Sequence, residues 1–182
     1  MEIIVAKHSG FCFGVDKAVK TAFSVQCDGR VFTLGQLIHN AQVTEALRRK
    51  GIKPIDDIDE LKENDCVIIR AHGVGRDVYE RLNARNVRIL DATCPYVRRI
   101  HEIVRKKHEE GYKIVIVGDP SHPEVRGING WCGGKALIVS DEEEAESIQP
   151  SDDRVCVVAQ TTFRRSNYDA IYETLKKKFA FA

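Results

Sequence analysis

Two thiols occupy positions where a thiol can act chemically. Cys12 lies in Gly10-Phe11-Cys12-Phe13-Gly14-Val15-Asp16, between the apolar run Ile3-Ile4-Val5-Ala6 and a helical pattern at Val15, Ala18, Val19 and Ala22. The pattern reads as strand, tight loop, helix. Cys12 then caps a helix N-terminus, where unpaired amides and the macrodipole favour a thiolate. Taken alone, the stretch is equally a buried structural thiol, because free cysteine is among the most buried residue types. The arrangement recurs in Val87-Arg88-Ile89-Leu90-Asp91-Ala92-Thr93-Cys94-Pro95, a short strand that ends in a cysteine and opens a helix, with Pro95 suited to the first helical position.

The recurrence extends beyond the cysteines. Cys12 and Cys94 are 82 residues apart, and His39-Asn40 and His122-Pro123, each after an apolar strand run, are 83 apart. A third pair, Ile68-Ile69-Arg70-Ala71-His72-Gly73 and Val157-Val158-Ala159-Gln160-Thr161-Thr162, drifts to a spacing of roughly 88 to 89, which a loop insertion accounts for. Three features in one order at nearly one spacing indicate duplicated units.

Apolar runs of four to six residues alternate with amphipathic helical stretches, which predicts βαβ units and mainly parallel sheets. One helical stripe is Tyr96, Val97, Ile100, Ile103 and Val104, and another is Tyr168, Ile171, Tyr172, Leu175 and Phe179. Their opposite faces carry Arg98, Arg99, Arg105, Lys106 and Lys107, then Lys176, Lys177 and Lys178, which read as solvated basic faces. Ser140-Asp141-Glu142-Glu143-Glu144 opens like a capped surface helix. The expected fold is α/β, with two repeated units facing a central cavity. They span residues 1–94, with 1–13 an N-terminal strand and ligand loop, and 95–182.

Ligands of parallel sheets bind beyond the carboxyl ends of the strands. Cys12, His39, His72, Cys94, His122, Glu124 and Thr161 all follow predicted strands, so two facing units would bring them to one cavity. Thiolates from separate units suit a metal or an iron-sulfur cluster better than structural zinc, which usually shows closely spaced ligand pairs; no Cys-x-x-Cys occurs. The three histidines, helped by Asn40 and the threonines, could hold a phosphate or diphosphate. A lone strand-end histidine is more often a satisfied polar residue, but His39 and His122 hold matching repeat positions. Glu124 either caps the helix starting at Pro123 or carries protons beside His122 and Thr161.

Composition narrows the partners. The chain has 182 residues, 43% of them hydrophobic and 30% charged, as in ordinary globular proteins. A formal charge of +1 supplies no global field for nucleic acid or an anionic membrane. No run is long enough for a signal peptide or a membrane span, which places the chain in the cytoplasm, where disulfides are not the default use of its six cysteines. Cys66 and Cys156, inside apolar strand runs, read as inert core residues, and Cys27 beside Asp28-Gly29 reads as a turn. Cys132, among glycines, is left open between a turn and a ligand site.

In order along the chain, Gly10-Phe11-Cys12-Phe13-Gly14-Val15, His39-Asn40, Ala71-His72-Gly73-Val74, Asp91-Ala92-Thr93-Cys94-Pro95, His122-Pro123-Glu124-Val125 and Gln160-Thr161-Thr162 closely resemble the 4-hydroxy-3-methylbut-2-enyl diphosphate reductase family. The resemblance implies three α/β units around a cavity that holds a 4Fe-4S cluster. Cys12 and Cys94 would be two of its three cysteine ligands. It assigns the allylic diphosphate to His39, His72, His122 and Asn40, with Gln160 and Thr162 lining the cavity. Catalysis falls to Glu124, His122 and Thr161. The implied reaction removes the allylic hydroxyl as water with two electrons and two protons, yielding isopentenyl and dimethylallyl diphosphate, the electrons coming from an external donor such as ferredoxin or flavodoxin. A third unit with the third cysteine would begin shortly after Phe179, so the resemblance implies a partial enzyme that by itself binds substrate and cluster poorly. The alternative is a non-catalytic phosphate-binding or thiol-metal module, with Cys12 and Cys94 of two chains sharing a cluster across a dimer.

Overall fold

Strands from two separate stretches of the chain form two four-stranded parallel sheets in a computed structural model that describes residues 3–4 and 10–181. The first contains β1 (Val31–Leu34), β2 (Lys53–Ile55), β3 (Cys66–Ile69) and β4 (Arg88–Asp91), and the second contains β5 (Lys113–Val117), β6 (Leu137–Val139), β7 (Ser151–Ala159) and β8 (Phe179–Phe181). Their spatial orders, β2-β1-β3-β4 and β6-β5-β7-β8, are the same pattern repeated. Ile3 and Ile4 are exposed and lie in no strand. The rest of the expected strand Ile3–Ala6 lies outside the described residues.

Parallel strands with crossover helices must bury both faces, so their side chains are apolar on successive residues. In β3, Ile68 packs with Ala18 and Ala22 of α1 (Phe13–Phe23) and Leu47 of α2 (Ala41–Arg49), while Val67 and Ile69 face Leu82 of α3 (Arg76–Asn83). The second sheet repeats the plan. Ile114 and Ile116 pack with Val104 of α4 (Pro95–Glu109) and with Val125 and Ile128 of α5 (Pro123–Gly130). Val115 and Val117 turn to Ala145 of α6 (Glu142–Ser147) and to Ile171 and Leu175 of α7 (Arg165–Lys176).

Several local expectations meet their structural counterparts. Asp141 caps α6 by accepting from the Glu144 amide at 2.8 Å, and Glu144 Oε2 accepts from the Ser140 amide at 2.7 Å. The basic faces are exposed and paired locally, as with Arg105 to Glu109 at 3.0 Å and Lys107 to Glu110 at 2.8 Å. Two expectations change. The helical stripe stops at Lys176, and Phe179 opens β8, which the free edge of β7 captures in parallel register. Cys27 and Cys66 are not a turn residue and an inert core thiol but a disulfide, their Cα atoms 6.4 Å apart. The loop before β1 doubles back so that Cys27 meets Cys66 at the start of β3.

Among the described residues no helix is long and apolar enough to cross a membrane. The disulfide closes a separation of 39 residues, a loop size for which such a link is worth about 2–4 kcal/mol. Thermal melts of the oxidised chain should therefore lose several degrees when a reductant is added. Cys27→Ser should show the lower midpoint and no response to the reductant; an unchanged midpoint would mean that the bridge contributes nothing.

Candidate functional site

Three imidazoles from both sheets meet. His39 follows β1, His72 follows β3 and His122 follows β5, each on a loop beyond the carboxyl end of its strand. Their ring centroids are 4.8 Å apart for His39–His72, 5.2 Å for His72–His122 and 6.1 Å for His39–His122. One ring nitrogen from each lies within 4.8 Å of the other two.

Backbone bonds fix the loops that carry them. The Ala71 amide donates to Leu37 O at 3.2 Å, tying the His72 loop to the His39 loop, and the Cys94 amide donates to Ala71 O at 2.9 Å. Asn40 caps α2 by accepting from the Val43 amide at 3.0 Å. Its Oδ1 is thus engaged locally.

The electrostatics favour a neutral ring at His72. Burial, then the neighbouring His39, His122 and Arg70, hold the His72 imidazole down from 6.5 to about 4. At His122, Nδ1 accepts from the Glu124 amide at 3.1 Å, which in the neutral ring leaves the proton on Nε2. Such a ring donates to an anion; a cation at Nε2 would need the other tautomer. Arg70 adds a desolvated cation, and burial lowers its pKa as well. Arg70 Nε and His72 Nδ1 are buried without a hydrogen-bond partner.

Glu124 is 2% exposed on the first turn of α5, and both carboxylate oxygens are held from the loop after β7. Thr161 donates its amide to Oε1 at 2.6 Å and its hydroxyl to Oε2 at 2.9 Å. Here His122 is the helix cap, which leaves the Glu124 carboxylate for Thr161. Gln160 braces the same loop, accepting from the Asp119 amide at 3.2 Å and donating to Thr162 Oγ1 at 3.0 Å.

Cys12 and Cys94 are the N-caps of α1 and α4, both free thiols, Cys12 exposed and Cys94 half-buried. Neither side chain caps its helix, so both sulfurs are available as ligands. Gly14, two residues after Cys12, lies against Cys94; a Cβ there would sit 3.0 Å from Cys94 Cβ and run into its sulfur. Missing that Cβ, the two thiol-bearing turns approach closely. This donor set, two free thiols on adjoining helix N-termini, fits an iron-sulfur group.

The remaining cysteines lie elsewhere. Cys132 is buried, its thiol donates to Asn129 O at 3.2 Å, and burial pushes its pKa up; the open question resolves to a structural thiol. Cys156 is half-buried on β7, its pKa also raised by burial. A cavity of about 660 Å³ at the amino ends of the first sheet is lined by Cys27, Cys66, Asn64, Asn86 and Arg88, and by none of the predicted site residues.

Sequence reasoning passed over the residues behind the histidines. His101 is 3% exposed in α4, stacked at 5.2 Å on Trp131, whose indole N–H donates to Val74 O at 3.0 Å. The available signal was a histidine in the apolar stripe between Val97 and Val104, at helical spacing.

Known proteins are similar over nearly the whole chain. A family profile described as LytB protein matches residues 3–181. The chain is 45% identical to the 4-hydroxy-3-methylbut-2-enyl diphosphate reductase of Caldanaerobacter subterraneus subsp. tengcongensis, covering 98% of this chain and 63% of that protein. Against the enzyme of the same name from Alkaliphilus oremlandii it is 48% identical, covering 98% and 64%. The chain therefore spans somewhat less than two thirds of the length of these relatives. A solved structure of (E)-4-hydroxy-3-methyl-but-2-enyl diphosphate reductase, described as the terminal enzyme of the non-mevalonate pathway, superposes with a TM-score of 0.82 at 39% identity, over 99% of this chain and 66% of that one. The Plasmodium falciparum reductase superposes with a TM-score of 0.88 at 25% identity, over 95% and 56%. With the profile covering almost every residue, the chain belongs to the LytB protein family.

Proposed function

We propose that this chain carries two repeated units, 1–94 and 95–182, of a reductase that removes the allylic hydroxyl of 4-hydroxy-3-methylbut-2-enyl diphosphate. The observation that carries the reading is the meeting of His39, His72 and His122, from loops of both sheets, beside a buried glutamate held at both oxygens by Thr161.

The imidazoles would hold the diphosphate. His122 offers Nε2–H, and the buried Arg70 Nε and His72 Nδ1 lack partners that phosphate oxygens can supply. Half-buried donors held by their loops lose little on reorganising, which is how fixed dipoles act on charge. Asn40 and Thr162 would line the rim, with Gln160 bracing the loop that carries Thr161.

Glu124, once protonated at Oε2, would donate to Thr161 Oγ1 in reversal of the hydrogen bond seen here, and the exposed hydroxyl would pass its own proton outward. Reduction of an allylic alcohol to an alkene consumes two electrons and two protons, one oxygen leaving as water. Cys12 and Cys94 would supply two ligands of an iron-sulfur cluster, which when bound provides the electrons and a Lewis-acidic iron. The electrons would reach it from an external donor such as ferredoxin or flavodoxin.

Anaerobic reconstitution with iron and sulfide, followed by a dehydroxylation assay beside a full-length relative, tests the assignment: the chain by itself should hold less iron and turn over more slowly than the relative, and its variants are read against that parental level. Cys12→Ser and Cys94→Ser should each lose the bound iron. Glu124→Gln should keep the iron and lower turnover by roughly 100-fold or more, within the range for a general acid. Parental turnover in Glu124→Gln removes that residue from its role, and anion binding without iron in the parent points to a phosphate-holding module.

A further inference from the structure

Behind the histidines, the second unit grips the loop that carries His72. α5 starts at the His122 cap, and roughly 8 to 12 Å further along, at Gly127 and Gly130, it meets residues 73–75 with bare backbone. A Cβ at Gly127 would sit 3.4 Å from the carbonyl carbon and oxygen of Gly73, and one at Gly130 would sit 2.5 Å from Gly75 Cα. The glycine-on-glycine contact is therefore as close as backbones come. Just past it, Trp131 Nε1–H donates to Val74 O at 3.0 Å.

From the other side, His101 of α4 lies under Gly73, which adopts φ +70°. A Cβ on Gly73 would come within 2.5 Å of His101 Cε1 and 3.1 Å of Thr93 Cγ2. His101 and Trp131 stack with an interplanar angle of 22°. Buried, and faced by Asp91, Arg98 and Trp131, His101 is held down to about 4 and stays neutral, yet its Nε2 has no partner. A buried polar atom without a partner costs stability. An aliphatic side chain of similar size would spare that cost.

We propose that Trp131 and His101 are positioning residues that clamp the 72–75 loop between α4 and α5 and so set where the His72 ring stands against His122. The proposal rests on the reading of the three histidines as a diphosphate site. One rigid helix then carries His122 and Glu124 at one end and fixes His72 from the other, so the groups from the two sheets move as a block. Loosening the clamp removes no site side chain but lets the His72 ring drift.

Inorganic pyrophosphate is the probe, titrated calorimetrically into the full 182-residue chain and into Trp131→Phe, His101→Leu and His72→Ala, with thermal midpoints measured alongside. Trp131→Phe should weaken pyrophosphate roughly two- to tenfold, the worth of the one net hydrogen bond it removes, and His101→Leu, which removes the ring packed under Gly73, should weaken it in the same direction. His101→Leu should match or exceed the parental midpoint below pH 6.5. There the unfolded chain binds a proton that the folded imidazole refuses, and the variant removes that loss. In both variants the His72 imidazole, faced by His39, His122 and Arg70, should titrate above its parental value near 4 as the loop admits water. Weaker binding with an undiminished midpoint separates positioning from a structural role. Should Trp131→Phe not fold, His101→Leu decides alone. Parental affinity and His72 titration in the folded variants, with His72→Ala still losing the anion, overturn the clamp and leave the diphosphate reading standing. Parental affinity in His72→Ala overturns both.

Discussion

The site depends on a contact that has no side chains in it. α5 and the loop after β3 meet at Gly127 on Gly73 and Gly130 on Gly75, and this approach brings the His72 loop beside the helix that His122 caps. A methyl group at Gly130 would run into Gly75 and push the loop away, whereas one at Gly127 would just reach contact with Gly73. The same absence of bulk operates at the thiols, where Gly14 lets the Cys12 turn close on Cys94. In both places a glycine lets groups far apart in the sequence come together.

Charge then explains why the assembled groups suit an anion. Burial keeps the His72 ring neutral, the Glu124 amide fixes which nitrogen of His122 bears the proton, and Arg70 is a cation with few local partners. Arg70 and His72 are desolvated, and each keeps one buried nitrogen without a hydrogen-bond partner. Glu124 is the counterexample: both of its oxygens already accept from Thr161, so it carries no unmet hydrogen bond.

Much of this was readable in the chain because parallel sheets impose a simple code. Apolar runs such as Ile114–Val117 must be strands with both faces covered, and residues just after them must sit at one end, which is how His39, His72 and His122 could be placed together without coordinates. The repeated order of features likewise anticipated the repeated strand order. What stayed hidden depended on chain paths that no local pattern encodes. Cys27 looked like a turn residue because nothing in its neighbours says the loop returns to Cys66. Phe179 kept helical spacing with Leu175, yet an unpaired strand edge competes for it and wins. His101 and Trp131 drew no reading at all, since what they contact is a backbone from the other sheet.

The claim on which the account rests is that three imidazoles from two sheets form one anion site. Nitrogen NMR of the uniformly labelled chain during a pyrophosphate titration addresses it most directly, because each ring reports its own tautomer and protonation. One binding curve shared by His39, His72 and His122, saturating at one pyrophosphate per chain with proton uptake at His72, is the predicted result. Rings that respond at different pyrophosphate concentrations, or a His72 signal that never moves, would contradict it.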